Sequence, residues 1–187
     1  IGSEVLAGAN GRDSLFAIRR LLGGAYHIQT LIYGYRDTGI GWRISADNTR
    51  RLVVGLGVAA NEAAQNGAGV ATYPCEGTAN TLARNEAEAP APFPSEPNAV
   101  WGQPIVVKGS TALRVTSAAI AGPTGPVTIK ASYGDGLTTD PNGYCKTGWA
   151  CIIPVELQPN TVYTATISGT DAGAAFTRAF MFRTGAE

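Results

Sequence analysis

Apolar and polar residues follow two different rhythms along this chain. Near the start the period is helical: Leu15, Ile18 and Leu22 recur on one face, Asp13 or Ser14 can cap, and Gly23-Gly24 ends the run. Arg19 and Arg20 fall in the last turn, where cations complement the helix dipole. Tyr26 to Tyr35 is apolar and aromatic without a clear period. Thr38–Ser45 and Arg51–Val58 read as two strands, with Asp47-Asn48 as the turn of an antiparallel hairpin. Glycines in both strands predict close backbone approach or packing against a helix.

From about Asn98 onward the rhythm is that of β-structure. Short runs recur at Pro104–Lys108, Ala112–Ser117, Val127–Ser132, Cys151–Glu156, Val162–Ser168 and Thr177–Phe182, separated by Gly, Pro and Asp-rich turns. Such a series of short strands predicts a β-sandwich. In Thr161–Ser168 the alternation is clean, with Tyr163, Ala165 and Ile167 on one face and Val162, Thr164, Thr166 and Ser168 on the other. Between the two regions, Pro74, Pro90, Pro92, Pro94 and Pro97 interrupt regular structure while Glu86, Glu88 and Glu96 keep the stretch solvated. Residues 72–97 are therefore expected to be an extended connector of polyproline character, anchored by Phe93 and Trp101. The division predicted is 1–71, 72–97 and 98–187.

Composition narrows the function classes. Hydrophobic residues make up 44% of the 187, charged residues 15%, and the formal net charge is zero. Neither a basic nucleic-acid surface nor an acidic tail is indicated. No apolar run approaches the ~20 residues that cross a bilayer as a helix. The chain opens at Ile1 without Met or a basic leader, which is expected of a processed or trimmed product and leaves secretion open. Cys145 and Cys151 flank Lys-Thr-Gly-Trp-Ala, and the glycine lets that segment turn, so a disulfide is expected; two reduced thiols are the alternative. Cys75 is either free or paired with something upstream. The single histidine argues against zinc.

Two stretches resemble the CAP superfamily of cysteine-rich secretory, antigen 5 and pathogenesis-related proteins. Tyr26-His-Ile-Gln-Thr-Leu-Ile-Tyr-Gly-Tyr-Arg-Asp-Thr-Gly-Ile-Gly-Trp42 is similar to the family's His-aromatic-Thr-Gln…Val-Gly-x-Gly signature, and Ser3-Glu-Val-Leu-Ala-Gly-Ala-Asn10 to its Gly-Glu-Asn-Leu motif. The pattern is closest to a divergent bacterial branch in which Tyr73–Gly77 would be the exit from the domain. The C-terminal stretch, Leu157-Gln-Pro-Asn-Thr-Val-Tyr163 through Phe180-Met-Phe-Arg-Thr-Gly185, resembles bacterial Ig-like domains. The resemblance implies an α+β chain: part of a CAP-like αβα sandwich over 1–71, then an all-β Ig-like sandwich.

Of the family's two histidines and two acids, the resemblance carries over Glu4 and His27 as a candidate cleft pair. The other histidine would lie in an N-terminal half supplied from elsewhere, such as a fragment of the same precursor. Val5 stands where the family has Asn, and Ser14–Leu22 holds no carboxylate, so the tetrad is incomplete. Glu4 and His27 either line a cleft or hydrogen-bond across the core. A divalent metal in that cleft would have His27 as its one candidate histidine ligand, and one His with one Glu falls short of a catalytic zinc site. Asp135, Asp140 and Asn142 share a Gly-rich loop and are weak calcium candidates, against a plain solvated turn.

Tyr26, His27, Gln29 and Tyr33 are the candidate ligand-binding residues, and Tyr35 and Trp42 are further aromatics able to line a groove or fill the core. The expected function is a secreted or cell-surface module that binds a lipid or protein ligand without catalysis. The alternative is a hydrolase or metal-dependent enzyme using Glu4 and His27 with residues from the N-terminal half.

Overall fold

In a computed structural model, the described residues are 2–8, 14–44, 46, 50–57, 69–86, 88–96 and 98–186; at 2–8, 14, 15 and 50 the description covers the backbone alone. The N-terminal layer contains β1 (Gly2–Gly8), α1 (Ser14–Leu22), α2 (Ala25–Leu31), β2 (Asp37–Ile44) and β3 (Arg50–Gly57). Its strands form an antiparallel sheet in the order β1-β3-β2. The expected hairpin is β2–β3; its turn at Asp47-Asn48 lies outside the described residues. The aromatic stretch that showed no period begins with α2.

On the central strand, Leu52, Val54 and Leu56 are buried against Ala17 and Leu21 of α1, with Ile18, Leu31 and Tyr35 at the margin. Among the described side chains of α1, Ala17 and Leu21 are buried, while Ile18 and Leu22 of the expected face are half-buried. The small Ala17 lets the helix lie close to the sheet, which leaves Leu22 half-buried. The side chain of Leu15 is outside the description.

The C-terminal body contains β4 (Ala71–Tyr73), β5 (Thr78–Thr81), β6 (Ile105–Lys108), β7 (Arg114–Gly122), β8 (Gly125–Pro126), β9 (Ile129–Gly134), β10 (Trp149–Pro154), β11 (Val162–Asp171) and β12 (Ala174–Thr184). A four-stranded sheet, β4-β6-β10-β9, and a five-stranded sheet, β5-β12-β11-β7-β8, share one core. Ile105, Val107 and Ile152 enter it from the first sheet; Val115, Ile120, Ala165, Ile167, Phe180 and Phe182 enter from the second. Every pairing is antiparallel except β5 with β12.

The four-stranded sheet is covered on its other face as well. Val106, Cys151 and Ile153 are buried there under Ala25, Tyr26 and Ile28 of α2 and under Phe93 and Trp101. Burial on both faces explains the unbroken apolar runs of β6 and β10. β11 has one solvent face, so Tyr163, Ala165 and Ile167 are buried while Val162, Thr164 and Thr166 are exposed, as their alternation predicted.

The stretch 72–97 is not wholly solvated. It gives most of β4 to one sheet and β5 to the other, and Leu82, Asn85 and Phe93 within it are buried. Both strands lie in proline-free runs of the stretch, while Pro90, Pro92 and Pro94 fall in bends and a turn. The described residues form a mainly β structure with two short helices.

Candidate functional site

The site begins with the start of α2. Gly24 at its N-cap offers no side-chain acceptor, so the first N–H groups need one from elsewhere. Glu88 supplies it from far along the chain. Its Oε2 accepts from the Ala25 amide at 3.0 Å, and its Oε1 accepts from the amides of Tyr26 at 2.7 Å and His27 at 3.2 Å. The same oxygen lies 3.1 Å from His27 Nδ1. The carboxylate is 0% exposed, and its charge sits at the positive end of the helix. Glu88 was expected to solvate the connector; it instead anchors α2. The readable signal was a helix beginning after two glycines with no cap of its own.

The pairing expected for His27 was with Glu4. Glu4 lies on β1 opposite Val54, and its side chain is outside the description. Among the described residues, Glu88 is an acid on His27.

Buried Tyr26 donates to Asp140 Oδ1 at 2.7 Å, and burial pushes its phenol well above the usual tyrosine range. Asp140 also accepts from the amides of Asn142 at 3.1 Å, Tyr144 at 2.8 Å and Cys145 at 2.8 Å. Asn142 Nδ2 donates to Tyr26 Oη at 3.1 Å and to the Ala91 carbonyl at 2.8 Å. Asp140 and Asn142 therefore come together around a tyrosine. Asp135 has another role, its carbonyl accepting from the Val115 amide at 3.1 Å. Asp140 is ringed by N–H and O–H donors, the reverse of a calcium shell. Among the described residues no group of three or more His, Cys, Asp or Glu side chains is placed to hold a metal.

Asp140 shapes the start of the loop that the Cys145–Cys151 disulfide closes, with Cα atoms 6.0 Å apart. Cys75 is free and exposed. Gln29 Nε2 lies 3.2 Å from Cys145 Sγ and 3.5 Å from Cys151 Sγ, tying α2 to this loop.

Between α2 and the loop runs an open groove of about 160 Å³. One wall is Tyr26, Gln29 and Thr30, continuing into Tyr33 and Tyr35; the other is Tyr144 and Trp149. The rings pair at centroid distances of 4.9 Å for Tyr26–Tyr144 and 5.2 Å for Tyr33–Tyr35. Lys108 Nζ donates to the Tyr33 carbonyl at 2.6 Å and lies 5.3 Å and 5.5 Å from the ring centroids of Tyr33 and Trp149. Partial burial lowers the pKa of that ammonium.

Of the residues singled out for a ligand, Tyr26, Gln29, Tyr33 and Tyr35 line this groove. His27 is held by Glu88 instead, and Trp42 is on β2, away from it. Thr30, Tyr144 and Trp149 were missed; Tyr144 precedes Cys145 and Trp149 lies between the two cysteines, a position that the disulfide turns into a wall. No protein-family model matches the chain, and no curated protein matches it.

Proposed function

We propose that this chain is a non-enzymatic binding module of a secreted or cell-surface bacterial protein. Its N-terminal layer is of the CAP type, and its C-terminal body is an Ig-like β-sandwich that serves as a platform. The observation that carries this reading is the aromatic groove between α2 and the disulfide-closed loop. Tyrosine and tryptophan rings offer large contact area with a polar tip, and the amide and hydroxyl of Gln29 and Thr30 add orientation.

Other features support it. The disulfide fits an oxidising compartment. His27 and Glu88 are engaged in holding α2. The order of elements, with Glu4 on β1, His27 on α2 and Gly39-Ile40-Gly41 on β2, follows the order of the CAP motifs. On β2, Ile40 and Ile44 are 67% and 55% exposed, although Val54, opposite Ile40 in the register, is buried under helix. We assign that uncovered strip to a further segment of the same precursor.

The test is NMR shift mapping of the full chain with a panel of extended peptides and monomeric short-chain lipids, beside turnover assays on ester and phosphoester probes. Shifts should gather at Gln29, Thr30, Tyr144 and Trp149, without turnover. Shifts centred on His27 and Glu88, with turnover abolished by His27→Ala, contradict the reading.

A further inference from the structure

We propose that the groove takes a neutral, proline-containing segment of a partner protein in the extended polyproline II conformation; this rests on the binding-module reading above. The first argument is charge. Tyrosine, tryptophan, glutamine and threonine line the groove, with no carboxylate, ammonium or guanidinium among them. Nearby Lys108 is engaged with the Tyr33 carbonyl and lies close to two of the rings. A charged ligand finds no counter-charge in this lining, and Lys108 already takes the cation position near Tyr33 and Trp149.

The second argument is shape. Two tyrosine pairs, tilted by 33° and 40°, form shallow wedges rather than a deep pocket. About 160 Å³ suits one or two small rings and is too little to enclose an acyl chain. A proline ring can pack on the exposed side of such a pair, and its preset φ means that little backbone entropy is lost on docking. Polyproline II leaves its carbonyls without internal partners, so they need external donors. Tyr33 and Tyr144, 44% and 51% exposed, carry phenol groups able to donate, as does the indole of Trp149.

The third argument is a precedent within the molecule. The chain's own proline-rich run is held beside this groove by the same chemistry. Tyr133 Oη donates to the Pro92 carbonyl at 3.0 Å, and Asn142 Nδ2 donates to the Ala91 carbonyl at 2.8 Å. The Phe93 ring lies edge-on to Trp101 at 5.7 Å. Asn142 also bonds to Tyr26, a wall of the groove, so the two surfaces are continuous. One phenol and one amide read two successive carbonyls there; the groove presents exposed phenols again, with the Trp149 indole beside them.

The experiment titrates decaproline into the full chain while following the Trp149 indole and Gln29 side-chain resonances. A Gly-Ser peptide of equal length and cellohexaose are titrated in parallel. Decaproline should give saturable shifts, with the Gly-Ser peptide weaker by roughly tenfold or more. Tyr144→Ala should weaken decaproline binding by roughly tenfold, and Tyr144→Phe by about threefold through loss of the hydroxyl. Tyr144 is half-exposed, so these variants should keep the wild-type melting profile. Val162→Ser, exposed on β11, should bind as the wild type does. An absence of decaproline shifts at Trp149, or unchanged affinity in Tyr144→Ala, overturns the proposal. Binding of cellohexaose in place of decaproline overturns the peptide class while leaving the groove reading standing; shifts of every probe at His27 and Glu88 overturn both.

Discussion

The two regions of this molecule bury their sheets differently. The β4-β6-β10-β9 sheet is covered on both faces, so that Val106, Cys151, Ile152 and Ile153 are all fully buried. The β1-β3-β2 sheet is covered over β3 by the helices, and the described residues of β2 are exposed along its length. A short helix covers one strand well and two strands poorly. The comparison shows that α2 belongs to both regions: Ala25, Tyr26 and Ile28 join the core over the four-stranded sheet, while Leu31 meets β3. A groove wall built on α2 therefore takes its rigidity from the C-terminal body.

The strongest attack on that contrast is a pair of truncations. Ile152→Ala leaves a cavity between the two large sheets and should cost about 3–4 kcal/mol in urea unfolding. Ile40→Ala on β2 should stay within about 0.5 kcal/mol. Equal costs would erase the distinction between covered and uncovered sheet.

Next comes the anchor of α2. Glu88→Ala removes the acceptor of three backbone amides and should destabilise by about 2 kcal/mol, with the loss concentrated in amide exchange at Ala25, Tyr26 and His27. Glu88→Gln keeps an acceptor, loses the charge at the helix end, and should cost about half as much. Replacing Cys145 and Cys151 together by serine should cost about 2 kcal/mol by thermal unfolding, and should loosen the Tyr144–Trp149 wall while β2 is unaffected.

Alkaline titration sharpens the comparison further. Burial pushes Tyr73 up to about 12 and raises Tyr26 and Tyr133 as well, all three in or against the core over the four-stranded sheet. The native state holds protons that the unfolded chain releases near pH 10. The stability held by Tyr73 is therefore fully present below pH 10 and is lost as pH rises toward 12, by at most about 1.4 kcal/mol per pH unit, with Tyr26 and Tyr133 acting in the same direction. Urea midpoints measured from pH 9 to 12 should fall along that slope. The smallest effect expected is from Ile44→Ser on β2, which should raise solubility and leave the urea midpoint nearly unchanged.

What the sequence shows depends on how local each cause is. The alternation of Tyr163, Ala165 and Ile167 is set by one strand lying on one core, and it reads directly. The pairing of Cys145 with Cys151 spans a short loop and reads nearly as well. Glu88 looked like a solvating charge because its partner, the uncapped start of α2, lies more than sixty residues away. The prolines of 72–97 drew the eye from Thr78–Thr81, a proline-free run that pairs as a strand with β12, and nothing local told that strand from a free connector. Half of the groove was visible as the aromatic run after Tyr26. The other half, Tyr144 and Trp149, is brought opposite by the disulfide and by Asp140, whose partners come from two elements. Among the described residues, Glu88 is an acid on His27 to which motif order did not point, and the Glu4 side chain lies outside the description.

The groove is preformed only if α2 belongs to the same cooperative unit as β10. Native-state hydrogen exchange tests this most directly. The Ile28 and Ile32 amides, bonded to the carbonyls of Gly24 and Ile28, should open with the free energy of the β10 amides, near the global value, while β2 opens at lower cost. Exchange of α2 at the level of β2, well below β10, would contradict a rigid groove.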